Sequence, residues 1–424
     1  MTTTTHRLSG DFWKFFIGQT ISNFGSSFTA FALPLLIFRL TGSALNLAIS
    51  SATAFLPYLL FGLVIGAWVD RVKRKRLMIV VDIINALAIA SIALLAHLER
   101  LEIWWIYVVG FLTSTVSIAF HAAEFAAIPN LVPHTELVTA NGRIQASYSA
   151  AQVAGPLLAG LLVATVPLSD LLLLDAASFL ISAVALASIR RPFEATGRTH
   201  STNIRQDIGA GLRYVLGHPV LRNISLMMAL VNFVASTVGT QLVLFGQRRL
   251  GASESEVGYL FAAGSAGVVV LALLAGPLRK RFSFSTVALG ALTVEGLLIM
   301  VFSQTTGLWL GVLLWALAQG LGILFNINTG SLRQAIVPNE MLGRVMSIAG
   351  VLAWSAIPLG TLLGGYAIER TGDVALVFLV IGALMAIIPT IFRLTALGRA
   401  EDYLPKPADA ETDVARAGSV VEQL

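Results

Sequence analysis

Five carboxylates fall inside or at the edge of long apolar runs: Asp11, Asp82, Glu124, Asp175 and Glu295. Burial raises a carboxylate's affinity for a proton and a nearby cation lowers it. A group in such a run can therefore take up and release a proton as its surroundings change. Glu124 is the first candidate. It stands three residues after His121, close enough along a helix for the two to meet, and about one turn from the end of its run. The competing reading makes Glu124 a fixed ion-pair partner of Arg71, Arg74 or Arg143. Glu295 lies deepest in its run, Asp82 sits near a basic loop, and Asp11 is at an edge. Other chemistry finds little footing. Cysteine is absent, so disulfides, thiolate metal sites and cysteine nucleophiles are excluded. There is no Gly-x4-Gly-Lys-Ser/Thr loop for ATP, and the six histidines show no metal-ligand spacing. Neither an enzyme nor a bound cofactor or metal is expected.

The elements that must position these groups are membrane helices. The chain has 424 residues, 56% hydrophobic and only 12% charged, with a mean hydropathy of +0.81. Soluble domains carry roughly twice that share of charge, so much of this surface must face a lipid bilayer. A spanning helix needs roughly 20 mostly apolar residues. Twelve such runs stand near 12–38, 45–69, 77–97, 103–128, 139–165, 169–189, 220–246, 255–278, 285–303, 308–332, 341–368 and 374–396. The fold class expected is an all-α membrane protein of twelve spans. With both termini cytoplasmic, Arg39, Arg100, Arg248, Arg249 and Arg370 alone fall outside, and the rest of the 28 Lys and Arg fall inside. That asymmetry obeys the positive-inside rule and supports both the count and the orientation. The basic residues form no separate domain, so no nucleic-acid partner is expected. The N-terminus shows no cleavable signal pattern. The polar stretch 190–218 reads as a linker and the tail 398–424 as disordered.

The two halves repeat. Val132-Pro133, Leu137, Gly155 and Gly160 recur at one constant offset as Val337-Pro338, Leu342, Gly360 and Gly365. The division expected is a six-helix bundle over 1–189, the linker 190–218, a second bundle over 219–397 and the tail. Parallel halves of this kind place a substrate site near the midplane between them. Polar stripes at helical spacing mark four spans. They are Gln19, Asn23 and Ser26 or Ser27 on the first; Thr113, Ser117, His121 and Glu124 on the fourth; Asn232, Ser236 and Thr240, with Gln241 beside them, on the seventh; and Gln319, Asn326 and Thr329, ending in Arg333, on the tenth. Gln145 and Gln152 add a stripe on the fifth. Polar groups in hydrocarbon are costly and usually face the bundle interior or water. Interhelical hydrogen bonding without a ligand is the other reading of each. Aromatic cavity residues cannot be told from lipid-facing ones by pattern.

Between the second and third spans stands GAWVDRVKRKR, with Gly66, Asp70, Arg71, Arg74 and Lys75. This loop resembles the signature of the major facilitator superfamily, departing from it at Lys73, where many members have Gly. The second half keeps a degenerate copy, GPLRKRF, without the acid. The resemblance covers about residues 11–396. It implies two pseudo-symmetric six-helix bundles, a cavity lined by spans 1, 4, 7 and 10, and a peripheral ninth span, which leaves Glu295 without an evident interior partner. It also implies that Asp70 latches onto the start of the eleventh span near Leu342–Arg344 when the inner gate shuts. In the fifth span AGPLLAG, with Gly155, Pro156 and Gly160, is similar to the Gly-Pro-x-x-Gly-Gly element of drug:proton antiporters. Together with AIPNLVP and VPNEMLGRV it resembles the macrolide- and siderophore-exporting branch. The resemblance implies a monomeric carrier in a bacterial plasma membrane, exporting a small amphiphilic or hydrophobic compound with the proton gradient as energy source. An importer or uniporter of the same fold, or a non-transporting receptor or assembly factor, are the alternatives.

Overall fold

The computed structural model describes residues 9–69, 72–132, 137–191, 193, 204–337 and 339–403, and every regular element among them is helical. The first six spans are α1 (Gly10–Thr41), α2 (Ala44–Val69), α3 (Arg74–His97), α4 (Ile103–Leu131), α5 (Leu137–Val163) and α6 (Leu168–Ser188). A short helix, α7 (Ile204–Gly217), follows. The last six spans are α8 (Pro219–Thr240) continued by α9 (Leu242–Arg248), α10 (Glu254–Arg281), α11 (Gly290–Gln304), α12 (Leu308–Ile336), α13 (Asn339–Trp354) continued by α14 (Ile357–Thr371), and α15 (Val374–Phe392). Twelve of the described helical stretches are long and apolar enough to cross a membrane. Both ends of the described chain lie on one face of the bundle, here called the termini face.

Local chemistry explains several helix ends. Ser9 accepts from Phe12 N–H to open α1, and Gly42, at φ 61°, closes it by donating to Phe38 O. A side chain would be strained at that φ. Ser253 and Glu256 exchange side-chain and backbone bonds to open α10, a reciprocal cap that satisfies two otherwise orphaned donors.

The first six spans pack on one another, as do the last six. Two crossings join the groups: α5 against α10 and α2 against α14. Each is the counterpart of the other under the half-to-half repeat. A large apolar core draws Phe31, Leu35, Ile37 and Leu47 from the first group and Phe245, Leu260 and Phe302 from the second. It lies toward the far face. Nearer the termini the apolar clusters belong to one group or the other.

Three expectations need correction, and the linker gains an element. The seventh span is not continuous, because α8 stops at Thr240 and the Gln241 side chain turns to donate to Ala44 O at 2.7 Å. The eleventh span breaks between Trp354 and Ile357, where Pro358 lacks the N–H that would carry the helix through. The polar linker holds the α7 helix, packed through Tyr214 and Val215 on Leu221 and Val345. The start of the tail is ordered: Ala396–Tyr403 forms a 3₁₀ turn with Leu397 and Ala400 buried. Glu401 anchors it to Arg279 at 2.7 Å and to Phe284 N–H at 3.0 Å. Residues 404–424 lie outside the described residues.

Candidate functional site

A cavity runs between the two groups of helices. Its widest lobe, 550 Å³, is lined by His121, Glu124 and Phe125 of α4 and by Gln145, Tyr148 and Gln152 of α5. Tyr148 and Gln152 also line a 340 Å³ lobe with Asn23, Ser26, Ser27, Phe31 and Phe261. Gln152 and Phe261 carry the lining on to Trp315 and Gln319. Those two then join Asn232, Ser236 and Glu295 in a 210 Å³ lobe within the second group. Shared lining residues string the lobes in a row from Glu124 on one side to Glu295 on the other.

The cavity is shut at the far face. Arg39 forms an ion pair with Glu254. Glu369 Oε2 accepts from Ser43 Oγ at 3.2 Å and from Ala44 N–H at 3.1 Å. Arg248 Nη2 donates to Gly42 O at 2.7 Å. Below them the Phe31 and Phe261 rings meet edge to face, centroids 5.8 Å apart. Beside them α5 and α10 touch at glycines: a Cβ built on Gly258 would lie 2.9 Å from Pro156 O and 3.1 Å from Gly160 Cα. The deepest bond between the groups is Ser265 Oγ to Gln152 O, 2.8 Å. Toward the termini no hydrogen bond or ion pair joins described residues of the two groups. The cavity is therefore sealed at the far face, and the described residues form no matching seal toward the termini.

Glu124 is buried, with one oxygen 3.4 Å from His121 Nδ1 and the other without a partner. The Tyr148 hydroxyl stands 3.4 Å from the same imidazole nitrogen. α4 continues to Leu131, so Glu124 is two turns from the helix end rather than one. Of the cations weighed as its partner, Arg143 instead covers the Trp13 ring at 4.8 Å. Asp82 is buried close enough to Glu124 for their charges to interact and reaches Ser182. Its other oxygen, like that of Asn85 one turn on, has no partner. Asp82 thus stands in the same buried group as Glu124. Asp175 is held by Ser26, Thr29 and Ser178, tying α6 to α1. Asp11 sits in the first turn of α1, 3.3 Å from Lys14 Nζ and 3.2 Å from Arg191 N.

Glu295 differs most from expectation. Although its helix lies between α12 and α15, the carboxylate reaches the cavity past Gly322, where a Cβ would lie 3.0 Å from Oε2. It is 9% exposed, and no described residue donates a hydrogen bond to it.

Two polar residues of the stripes serve packing instead. Gln19 donates to Ser182 Oγ at 3.0 Å inside the first group. Gln241 is fully buried in the far-face seal. Thr113 turns onto its own helix at Val109 O, 2.9 Å. Ser117 is half-buried on the same helix, and Asn326 is exposed, bonded to Gly322 O at 3.3 Å. Asn232 and Ser236 do double duty, for besides lining the cavity they hold Ala353 O at 2.9 Å and Ile357 O at 3.4 Å at the break in the eleventh span. In the fifth span, Gly155 receives Ser27, whose Oγ would be 1.8 Å from a Cβ there, and Gly160 receives Gly258.

Of the loop latch, Asp70 and Arg71 lie outside the described residues, as does the side chain of Arg344. Arg74 donates to Phe193 O at 3.3 Å, and Lys75 Nζ to Ala187 O at 3.1 Å and Ile189 O at 2.6 Å. These bonds cap the end of α6 within the first group. The aromatic lining, Phe31, Phe125, Tyr148, Phe261 and Trp315, carried no sequence signal to separate it from lipid-facing rings.

The sequence profile of the transmembrane secretion effector family matches residues 7–418. Macrolide efflux protein A of Streptococcus pyogenes is 28% identical over 373 residues, covering 85% of this chain and 90% of that protein. The multidrug efflux pump Tap of Mycolicibacterium fortuitum is 26% identical over 393 residues, covering 87% and 93%. Among solved structures, a bacterial homologue of the human lysosomal transporter Spinster, inward-facing and unoccupied, superposes with a TM-score of 0.77 at 14% identity, covering 95% of this chain and all of that one. A bacterial homologue of the iron transporter ferroportin, inward-facing, gives 0.73 at 18%, covering 91% and 98%. At these identities the structures speak to fold alone.

Proposed function

Because the chain belongs to the transmembrane secretion effector family of major facilitator carriers, and is thus a multi-pass membrane transporter of small molecules rather than an enzyme, we propose that it exports an amphiphilic or hydrophobic compound from the cytoplasm in exchange for protons. The observation that carries this reading is the cavity's seal at the far face, from Arg39–Glu254 down to Ser265–Gln152, with no such bond between described residues toward the termini. The positive-inside asymmetry favours termini on the cytoplasmic side. The state described is then the one that loads from inside. The efflux relatives, a macrolide and a multidrug pump, favour export over import.

Coupling needs a group whose protonation answers to the gate. Glu124 meets that requirement on the termini side of the cavity, with His121 and Tyr148 at hand to pass or hold a proton and Asp82 nearby. When the far face opens and this side closes, the surroundings of Glu124 change from wet to enclosed. A proton taken from outside would neutralise it, and its release inside would reset the site for the next substrate. Binding substrate and proton to one cavity in alternation is what makes exchange, rather than leak, the outcome.

The test is efflux of a panel of macrolides, dyes and other antibiotics from cells making this protein, with and without a protonophore. Efflux that the protonophore abolishes supports proton-driven export. Uptake driven by the same gradient in the opposite sense would replace the reading with that of an importer.

A further inference from the structure

The exchange reading uses Glu124 and leaves Glu295 without a task. Glu295 is buried in the second group, with no described hydrogen-bond donor, and yet it lines the cavity. A carboxylate in hydrocarbon surroundings is costly unless something offsets its charge, and intramembrane acids kept in this way mark ligand or ion paths. The fold makes room for it: Gly322 on α12 leaves open the space that a side chain would fill. Its neighbours in the lobe are the Trp315 ring, the amides of Asn232 and Gln319, and the Ser236 hydroxyl. None of the residues lining that lobe, or the two lobes leading from it to Gln152, is Lys, Arg or His. An aromatic ring and a carboxylate lining one lobe, with no cation in the lining, are the groups that hold an ammonium group. The aromatic path through Trp315 and Phe261 to Tyr148 suits the apolar body behind it.

We propose that Glu295, backed by Trp315, is the counter-ion for a cationic group on the transported compound, so that the substrates are amphiphiles bearing an amine or a permanent positive charge. This rests on the reading of the cavity as the transport site and adds to it the class of compound and the residue that selects it. It also divides the work between two acids on opposite sides of the path, with Glu295 for the cargo and Glu124 for the proton.

The test is binding to the purified full-length carrier in detergent, with no gradient present. Two probes of one size and shape and opposite charge serve: tetraphenylphosphonium and tetraphenylborate. The wild type is expected to bind the cation at least tenfold more tightly than the anion. Glu295→Gln should lose at least tenfold in affinity for the cation, and Glu295→Asp should keep most of it. No cation preference in the wild type, failure to bind the cation at all, or an unchanged affinity in Glu295→Gln would each overturn the proposal. Should Glu295→Gln not fold, a second measurement decides. The chain has no cysteine, so Gln319→Cys places a single thiol in the lobe with Glu295 intact. A cationic thiosulfonate should label it at least tenfold faster than an anionic one, each rate taken relative to free cysteine, and tetraphenylphosphonium should slow the labelling. Equal relative rates would refute the assignment. Since binding is read without a gradient, a carrier that binds as expected but fails to export would sink the exchange mechanism and leave this proposal standing. One that exports only neutral compounds would do the reverse.

Discussion

The far-face seal can be opened by one methyl group. Gly258 and Gly160 meet where α10 crosses α5, and a Cβ at position 258 would sit 2.9 Å from Pro156 O and 3.1 Å from Gly160 Cα. Both are backbone atoms, so no side chain can swing aside to relieve the clash. Overpacking of this kind costs about 1–3 kcal/mol. Gly258→Ala also gains about 1 kcal/mol of helix propensity, but it gains it equally in both states, because α10 is helical in each. The gain therefore cancels from the equilibrium between them, and the clash does not, since opening the far face separates the two helices. At 1.36 kcal/mol per factor of ten, the ratio of far-face-closed to far-face-open molecules should fall roughly 5- to 150-fold. Spin labels on introduced cysteines at Ala164 and Trp309, exposed far-face positions on opposite groups, would report it. Double electron–electron resonance should show the shorter distance depleted and a longer one populated in Gly258→Ala. An unchanged distribution would mean that this crossing does not gate the cavity.

Other consequences follow from the same contacts. Glu124→Gln should abolish uphill transport while leaving substrate binding within a few-fold, as measured by equilibrium binding beside gradient-driven flux; normal uphill flux would remove Glu124 from the mechanism. Arg39→Ala should shift the gating ratio by no more than about fivefold, because its pair with Glu254 is half exposed and exposed pairs contribute about 0–1 kcal/mol. Exchanging the two charges should restore the wild-type distance distribution. Asn232→Ala frees Ala353 O at the break in the eleventh span, which should cost roughly 1 kcal/mol. Hydrogen exchange should then quicken around residues 351–358, and no change there would show that the amide is not what holds the break.

Much of the helical plan was legible in the sequence because lipid demands long apolar runs and the charges between them alternate in sign of bias. What the runs could not show is where a helix breaks inside one. Hydropathy stays high through Gln241 and through Pro358, so both spans read as continuous, although Pro358 itself was in view. The polar stripes pointed at the right helices but not at the right neighbours. Periodicity assigns Gln19 and Asn23 to one face of α1, yet Gln19 meets Ser182 on α6 while Asn23 reaches the cavity beside Ser147. One turn of helix separates packing from lining, and only the placement of the next helix decides between them. The cavity-facing position of Glu295 was not legible for a related reason. A peripheral span ought to keep its acid from the interior, and it does so except where a facing glycine leaves a window. Gly320 and Gly322 were the available signal, since two small residues in a span otherwise rich in Leu mark close approach.

Flux through the purified carrier in sealed proteoliposomes tests the account most directly. The protein would be oriented with its termini outward, a macrolide or dye that the cells were found to extrude would be present at equal concentration on both sides, and a pH step would make the lumen acidic. Exchange predicts that the compound accumulates in the lumen against its gradient as the lumen turns less acidic, and that the accumulation vanishes once a protonophore has collapsed the pH step. Accumulation that ignores the pH step, or protons that move without the compound, would contradict it.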